Sequence, residues 1–160
     1  RVAVTYFEWA GIHHQQIIVP WRLIDGPESA GGFAADIARA RYTRASRTSI
    51  SGALLFGMPL FEGSGYRGLR KVIDVSGDGV NNNGQMVTVV RDEVLSKGIT
   101  INGLPILTDE PYLDRYYYDH VIGGPGSFMV PAESYETFAA AVLRKLIMEI
   151  AAKPSEVSFE

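Results

Sequence analysis

A short β-forming run that breaks abruptly into a glycine-flanked carboxylate constrains this chain most: Lys71-Val72-Ile73-Asp74-Val75-Ser76-Gly77-Asp78-Gly79. Val72, Ile73 and Val75 favour a buried parallel strand, and Gly77-Asp78-Gly79 forces a tight turn at its carboxyl tip. Ligand sites in open α/β sheets lie at the carboxyl ends of strands, so Asp78 stands where binding chemistry is expected. Thr48 lies 30 residues upstream, in Thr48-Ser49-Ile50-Ser51-Gly52-Ala53-Leu54, a hydroxyl-rich loop opening an apolar helix. Together the two segments offer hydroxyl and carboxylate oxygens. That donor set suits Mg2+, Mn2+ or Ca2+ and offers little to a soft metal.

Composition narrows the partners. The 160 residues make about one domain, and 46% apolar with 21% charged residues is ordinary globular composition. A net charge of −3 supplies no basic field for nucleic acid or a membrane surface. No apolar run reaches the roughly 18 residues that a membrane span needs. With no cysteine, disulfides, thiolate metal sites and a cysteine nucleophile are excluded. Arg1 is followed at once by strand-like residues without a start methionine, and a preceding segment is expected.

The pattern along the chain predicts two β-rich runs, Val2 to Trp9 and Gln16 to Leu23, flanking a hairpin connection at Ala10 to His14. Asp25 is expected to cap a helix running to about Ala40, with Pro27 in its first turn, Glu28 reaching back, and Gly31-Gly32 weakening it. A basic loop, Arg41 to Arg47, leads to a helix over Ser49 to Phe61, which Gly57 and Pro59 should shorten. Beyond the Asp78 strand, Gln85 to Ser96 reads as a helix with Val89, Val90 and Val94 beside Met86, stopped by Gly98. Ile99 to Leu107 reads as a strand, with Asn102-Gly103 marking a bulge or a close backbone approach. A tyrosine-rich helix over Leu113 to Val121, a short strand at Ser127 to Val130 and a last helix carrying Phe138, Val142, Leu146 and Ile150 complete the domain, residues 1–152. Residues 153–160 form a tail.

This alternation predicts an α/β fold: a doubly wound, mostly parallel sheet with one antiparallel edge strand and helices on both faces. No fully apolar central strand precedes the hairpin. Such a strand is expected either upstream or from another chain.

The order of elements resembles the von Willebrand factor type A domain from its second strand onward. Thr48 to Leu54, Val72 to Gly79 and Ile99 to Ile106 carry the resemblance. More narrowly, Val4-Thr5-Tyr6-Phe7-Glu8-Trp9-Ala10-Gly11, Asp74 to Gly79 and Ile101 to Pro105 resemble the bacterial DUF1194 family, over Arg1 to about Ile150. The resemblance implies a metal-ion-dependent adhesion site. In such domains an Asp-x-Ser-x-Ser run, a second-loop threonine and a third-loop aspartate hold the cation. Thr48 matches the threonine and Asp78 the aspartate. The Asp-x-Ser-x-Ser run has no counterpart in this chain and would lie before Arg1. The resemblance also implies an exported protein, periplasmic or secreted.

Other residues carry two readings each. Asp74, on the same strand parity as Asp78, reads either as support behind the ligands or as a buried carboxylate paired to an arginine. Ser76 reads as a further candidate or a local hydrogen-bonder, and Glu8 as a contact to the site or a solvated strand end. His13 and His14 fit a solvent-facing turn better than a metal pair. Asn81, Asn82 and Asn83 read as a ligand rim or as ordinary loop chemistry. Tyr116, Tyr117 and Tyr118 cannot share one helix face.

The function expected from all this is metal-bridged binding of a protein or other acidic partner, without a bond-breaking step. The alternatives are a metal-assisted hydrolase or phosphotransfer enzyme, for which no nucleophile–base pair is evident, and a structural domain with an inactive metal site.

Overall fold

A computed structural model of the protein describes residues 1–40, 47–134 and 137–151. Residues 41–46 of the basic loop expected over Arg41 to Arg47, and the tail expected from residue 153, lie outside them.

Strands β1 (Val2–Trp9) and β2 (Gln15–Ile24) form the antiparallel hairpin, paired from Val2 with Ile24 to Trp9 with Gln15. The connection closes on itself: the Ala10 amide donates to the His14 carbonyl and the His14 amide to the Gly11 carbonyl, both at 3.1 Å. His13 is exposed at this turn.

Helix α1 (Pro27–Arg39) starts as its proline predicts, but its cap differs from the expected one. Gly26 holds the cap position, and Ser29, not Glu28, reaches back: its hydroxyl accepts from the Asp25 and Gly26 amides and donates to the Asp25 carboxylate. A short hydroxyl three residues in closes this tight entry with fewer rotamers to fix than a glutamate would need. Gly31-Gly32 do not interrupt the helix. Ala30, Phe33, Ala34 and Ile37 recur at helical spacing and bury one face against Val19 and Ile24 of the hairpin and Leu146 of the last helix. At about 1.5–3 kcal/mol per large buried side chain, that packing outweighs about 1 kcal/mol of propensity lost at each glycine.

Ser49 caps α2 (Ile50–Gly57) by accepting the Gly52 amide at 2.9 Å. The helix tightens into a 3-10 turn over Met58–Phe61. Pro59 has no N–H to continue the α ladder, which is the shortening that the sequence predicts.

Parallel strands β3 (Lys71–Gly77) and β4 (Ile99–Pro105) pair in unbroken register from Lys71 with Ile99 to Gly77 with Pro105. No bulge forms at Asn102-Gly103. Gly103 is instead the close approach: a β-carbon there would lie 2.8 Å from the Tyr117 ring. Their crossover helix, α3 (Val87–Ser96), ends at Gly98, whose φ of +76° is the left-handed stop. Its buried face is Val87, Val90 and Val94, while Met86 and Val89 are exposed at 68% and 57%. The expected stripe is thus rotated, because 87, 90 and 94 share a helix face and 86 and 89 do not.

Helix α4 (Leu113–His120) buries Leu113 and Tyr117 and exposes Tyr118. The segment expected as a short last strand makes isolated bridges along the free edge of β4, Gly103 with Met129 and Ile106 with Ala132. Helix α5 (Phe138–Ala151) places Ala141, Lys145 and Leu146 inward.

The α/β class is as expected, with helices on both faces. Ile73, Val75, Ile99 and Ile101 face α2, α3 and α4 in the largest apolar cluster. The opposite face meets α5. Among the described residues β1 bonds to β2 and β3 to β4, and no ladder joins the two pairs. Between them lies a cleft of about 1110 Å3, lined by every residue from Arg1 to Ala10 and every residue from Lys71 to Asp78. Phe33, Ile37, Val142 and Leu146 wall one side, and Ala53, Gly57 and Phe61 the other. Phe7 stacks edge-on against Phe56 at 4.8 Å, so the hairpin is also tied to α2.

Candidate metal centre at the end of the cleft

Three loops meet where β1 and β3 end. Trp9 closes β1, and its ring reaches across to the carboxyl end of β3, where a β-carbon at Gly77 would lie 3.1 Å from it. Asp78 follows Gly77 at this end and lines the cleft together with Thr48. The Thr48 hydroxyl lies against Gly79, where a β-carbon would sit 3.4 Å from its oxygen. That is ordinary van der Waals distance, and it places the threonine loop against the turn that follows Asp78.

The asparagine run wires these loops together. Asn82 exchanges two hydrogen bonds with the backbone of Thr48: its carboxamide oxygen accepts the Thr48 amide at 2.9 Å, and its own amide donates to the Thr48 carbonyl at 2.9 Å. Asn83 accepts the Ile12 amide at 2.9 Å, which binds the hairpin turn. Asn81 accepts the Ser51 amide at 3.2 Å and donates to the Gln85 carbonyl. The Ser49 amide donates to the Ala10 carbonyl at 2.7 Å, joining the threonine loop to the end of β1. Short side chains carrying both donor and acceptor suit such loop-to-loop bonding.

The other candidates also line the cleft, with partners of their own. The Ser76 hydroxyl donates to the Leu104 carbonyl of the adjacent strand at 2.7 Å. Asp74 pairs with Lys145 of α5 and accepts from the Asn102 carboxamide at 3.3 Å. Register explains the contact, since Asp74 stands directly beside Asn102 on the α5 face. Partial burial pushes the Glu8 carboxyl above its ordinary range, and the charge of His14 opposes the shift. Glu8 thus belongs to the cleft wall more than to solvent. His120 packs on Tyr116 at 5.0 Å between ring centres.

Lys145 was not singled out from the sequence. Its signal was present: it lies three residues from Val142 and four from Ala141 on the apolar stripe of α5, where a lysine calls for an acid. Tyr117 was noted only as one of three tyrosines. Its hydroxyl is buried beside Gly77 and has no hydrogen-bond partner among the described residues.

The donors fit part of a hard cation's sphere. Thr48 offers a neutral oxygen and Asp78 an anionic one, and the Gly79 cradle brings their segments together. Among the described residues no group of three or more His, Cys, Asp or Glu could hold a metal on its own.

Comparison with known proteins agrees with this fold. Proximal thread matrix protein 1 (PTMP1) from the mussel byssus is similar at a TM-score of 0.56 and 14% identity, over 93% of this chain and 36% of that one. A second crystal form gives the same values. The same mussel protein with a zinc-occupied MIDAS motif also matches at 0.56 and 14%, over 93% of this chain and 35% of that one. This chain spans little more than a third of those proteins, and at such identity the likeness is one of fold. No curated protein matches it. The family model described as "Protein of unknown function (DUF1194)" matches residues 1–154, nearly the whole length. The chain is therefore a member of the DUF1194 family.

Proposed function

We propose that this protein is a divalent-metal-dependent binding module. Thr48 and Asp78 would hold Mg2+, Mn2+ or Ca2+ at the carboxyl end of β3, and the cation when bound supplies a positive centre that an acidic group on a partner completes. The carrying observation is that two oxygen donors 30 residues apart in sequence are brought to one strand end and locked by Asn82. The zinc-occupied MIDAS motif of the similarly folded mussel protein supports the reading.

The remaining ligands, in this reading, arrive on a strand seated in the cleft, from upstream in the polypeptide or from another chain. The cleft runs along the whole of β1 and β3, the length that a further strand between them would need. Apolar walls on both sides call for a strand apolar on both faces. Its tip would emerge beside Asp78. We place the module outside the cytoplasm, as a periplasmic or secreted protein, which cell fractionation tests; among the described residues no helix is long and apolar enough to cross a membrane.

The test is thermal unfolding of the full-length protein with and without Mg2+ or Mn2+. A ligand at a hundred times its Kd stabilises by about 2.7 kcal/mol, a shift easily read. Asp78→Ala should abolish the rise and Thr48→Ala should reduce it. No rise in the unaltered full-length protein sinks the proposal.

A further inference from the structure

We infer that Asn82 is the positioning residue for Thr48, an assignment that rests on the metal-binding reading above. Thr48 lies outside any helix or strand, so no ladder fixes its backbone. Both of its backbone groups are instead held by one residue: the amide by the Asn82 carboxamide oxygen and the carbonyl by the Asn82 amide. That residue stands four positions after Asp78, so the contact ties the candidate threonine ligand directly to the loop carrying the candidate carboxylate. Asn82 is exposed and Thr48 is half-buried. Water could satisfy the same two backbone groups equally well. What Asn82 adds is place.

Placement matters because Mg2+ demands near-ideal octahedral geometry, and groups that orient a ligand without touching the ion typically govern roughly 10–100-fold in metal affinity. The neighbours divide the labour: Asn81 secures the start of α2 through Ser51, and Asn83 the hairpin turn through Ile12. Only Asn82 contacts Thr48 among the three.

The experiment pairs Mn2+ titration of the full-length protein with amide hydrogen exchange of its metal-free form. Asn82→Ala is expected to weaken Mn2+ binding roughly 10–100-fold and to speed exchange at the Thr48 amide, leaving the core amides of Val90 and Ile101 unchanged. Asn82→Asp keeps an acceptor oxygen and should restore Thr48 protection. A loss due merely to local packing would not be rescued this way. Unaltered Thr48 exchange in Asn82→Ala overturns the inference. So does a freed Thr48 amide with unchanged Mn2+ affinity. Wild-type protein that takes up no Mn2+ overturns the metal reading, and the positioning role with it.

Discussion

Lys145 of α5 and Asp74 of β3 form an ion pair whose two ends differ in access to water: the lysine side chain is 2% exposed and the aspartate 36%. Asn102 donates to the second carboxylate oxygen, and the lysine nitrogen lies 5.6 Å from the centre of the Phe128 ring. Removing one partner of a buried pair is costly when the charge left behind cannot reach water. Asp74→Ala removes the carboxylate beside an almost fully buried lysine and is therefore expected to cost more stability than Lys145→Met, which leaves a carboxylate that opens on the cleft. Urea unfolding of the two variants checks this. Equal losses would contradict the asymmetry.

Tyr117 should be better as phenylalanine. Its buried hydroxyl has no partner among the described residues, and a desolvated, unbonded donor costs about 1–3 kcal/mol. Tyr117→Phe keeps the ring that packs on Gly103 and should raise the melting temperature. Burial first, then the proximity of Tyr116 and Asp78, pushes the phenol well above its ordinary value of 10.0. An acid with a raised folded-state pKa contributes stability that is lost as pH rises past its unfolded value. The wild-type protein should thus lose stability above about pH 10 more steeply than the variant. A lower melting temperature in the variant would show that the hydroxyl has found a partner.

The sequence made the fold legible wherever local chemistry and tertiary packing agree. Pro59 ended α2, Gly98 ended α3, and Val72 to Gly77 formed the strand that delivers Asp78. Misreadings arose where a long-range partner chose between local options. Val90 and Val94 are buried as the pattern has them, but Met86 and Val89 fit a helical pattern with Val90 as well as Val87 does, and only the position of β3 and β4 decides which of them is buried. Glu28 is as plausible a capping residue as Ser29 until the hairpin fixes the entry angle at Asp25. At the candidate site, the type and order of Thr48 and Asp78 were readable. The three asparagine contacts were not, because each spans more than 29 residues and no local rule links Asn82 to Thr48 or Asn83 to Ile12.

Glu8 should make stability depend on pH in a direction opposite to that of a paired carboxylate. Burial in the cleft wall raises its carboxyl above the ordinary 4.5, and His14 only partly offsets this. The protonated form is therefore favoured in the folded state, and its contribution is present below the unfolded value and lost as pH rises through the folded one. Glu8→Gln should melt at the same temperature as wild type in acid and at a higher temperature near neutrality. Melting curves from about pH 3 to about pH 8 test the divergence. A variant that is less stable at neutral pH would mean that the ionised carboxylate is used in the fold.

Gly84 closes the asparagine loop and tolerates no side chain. Its φ of +83° lies in the left-handed region, which costs a residue with a β-carbon about 1–2 kcal/mol before any contact is counted. A β-carbon there would also stand 2.5 Å from the Ile12 side chain and 2.8 Å from the Ser49 hydroxyl. Both neighbours belong to loops that Asn83 and Asn81 hold, so relief must come from moving those loops. Gly84→Ala is expected to lower stability by more than the backbone cost alone, and to speed amide exchange at Ile12 and Ser51 while Val90 and Ile101 stay protected. Unchanged exchange at Ile12 and Ser51 would mean that the loops yield without parting. The three-loop cluster would then be compliant, and its grip on Thr48 could not be rigid.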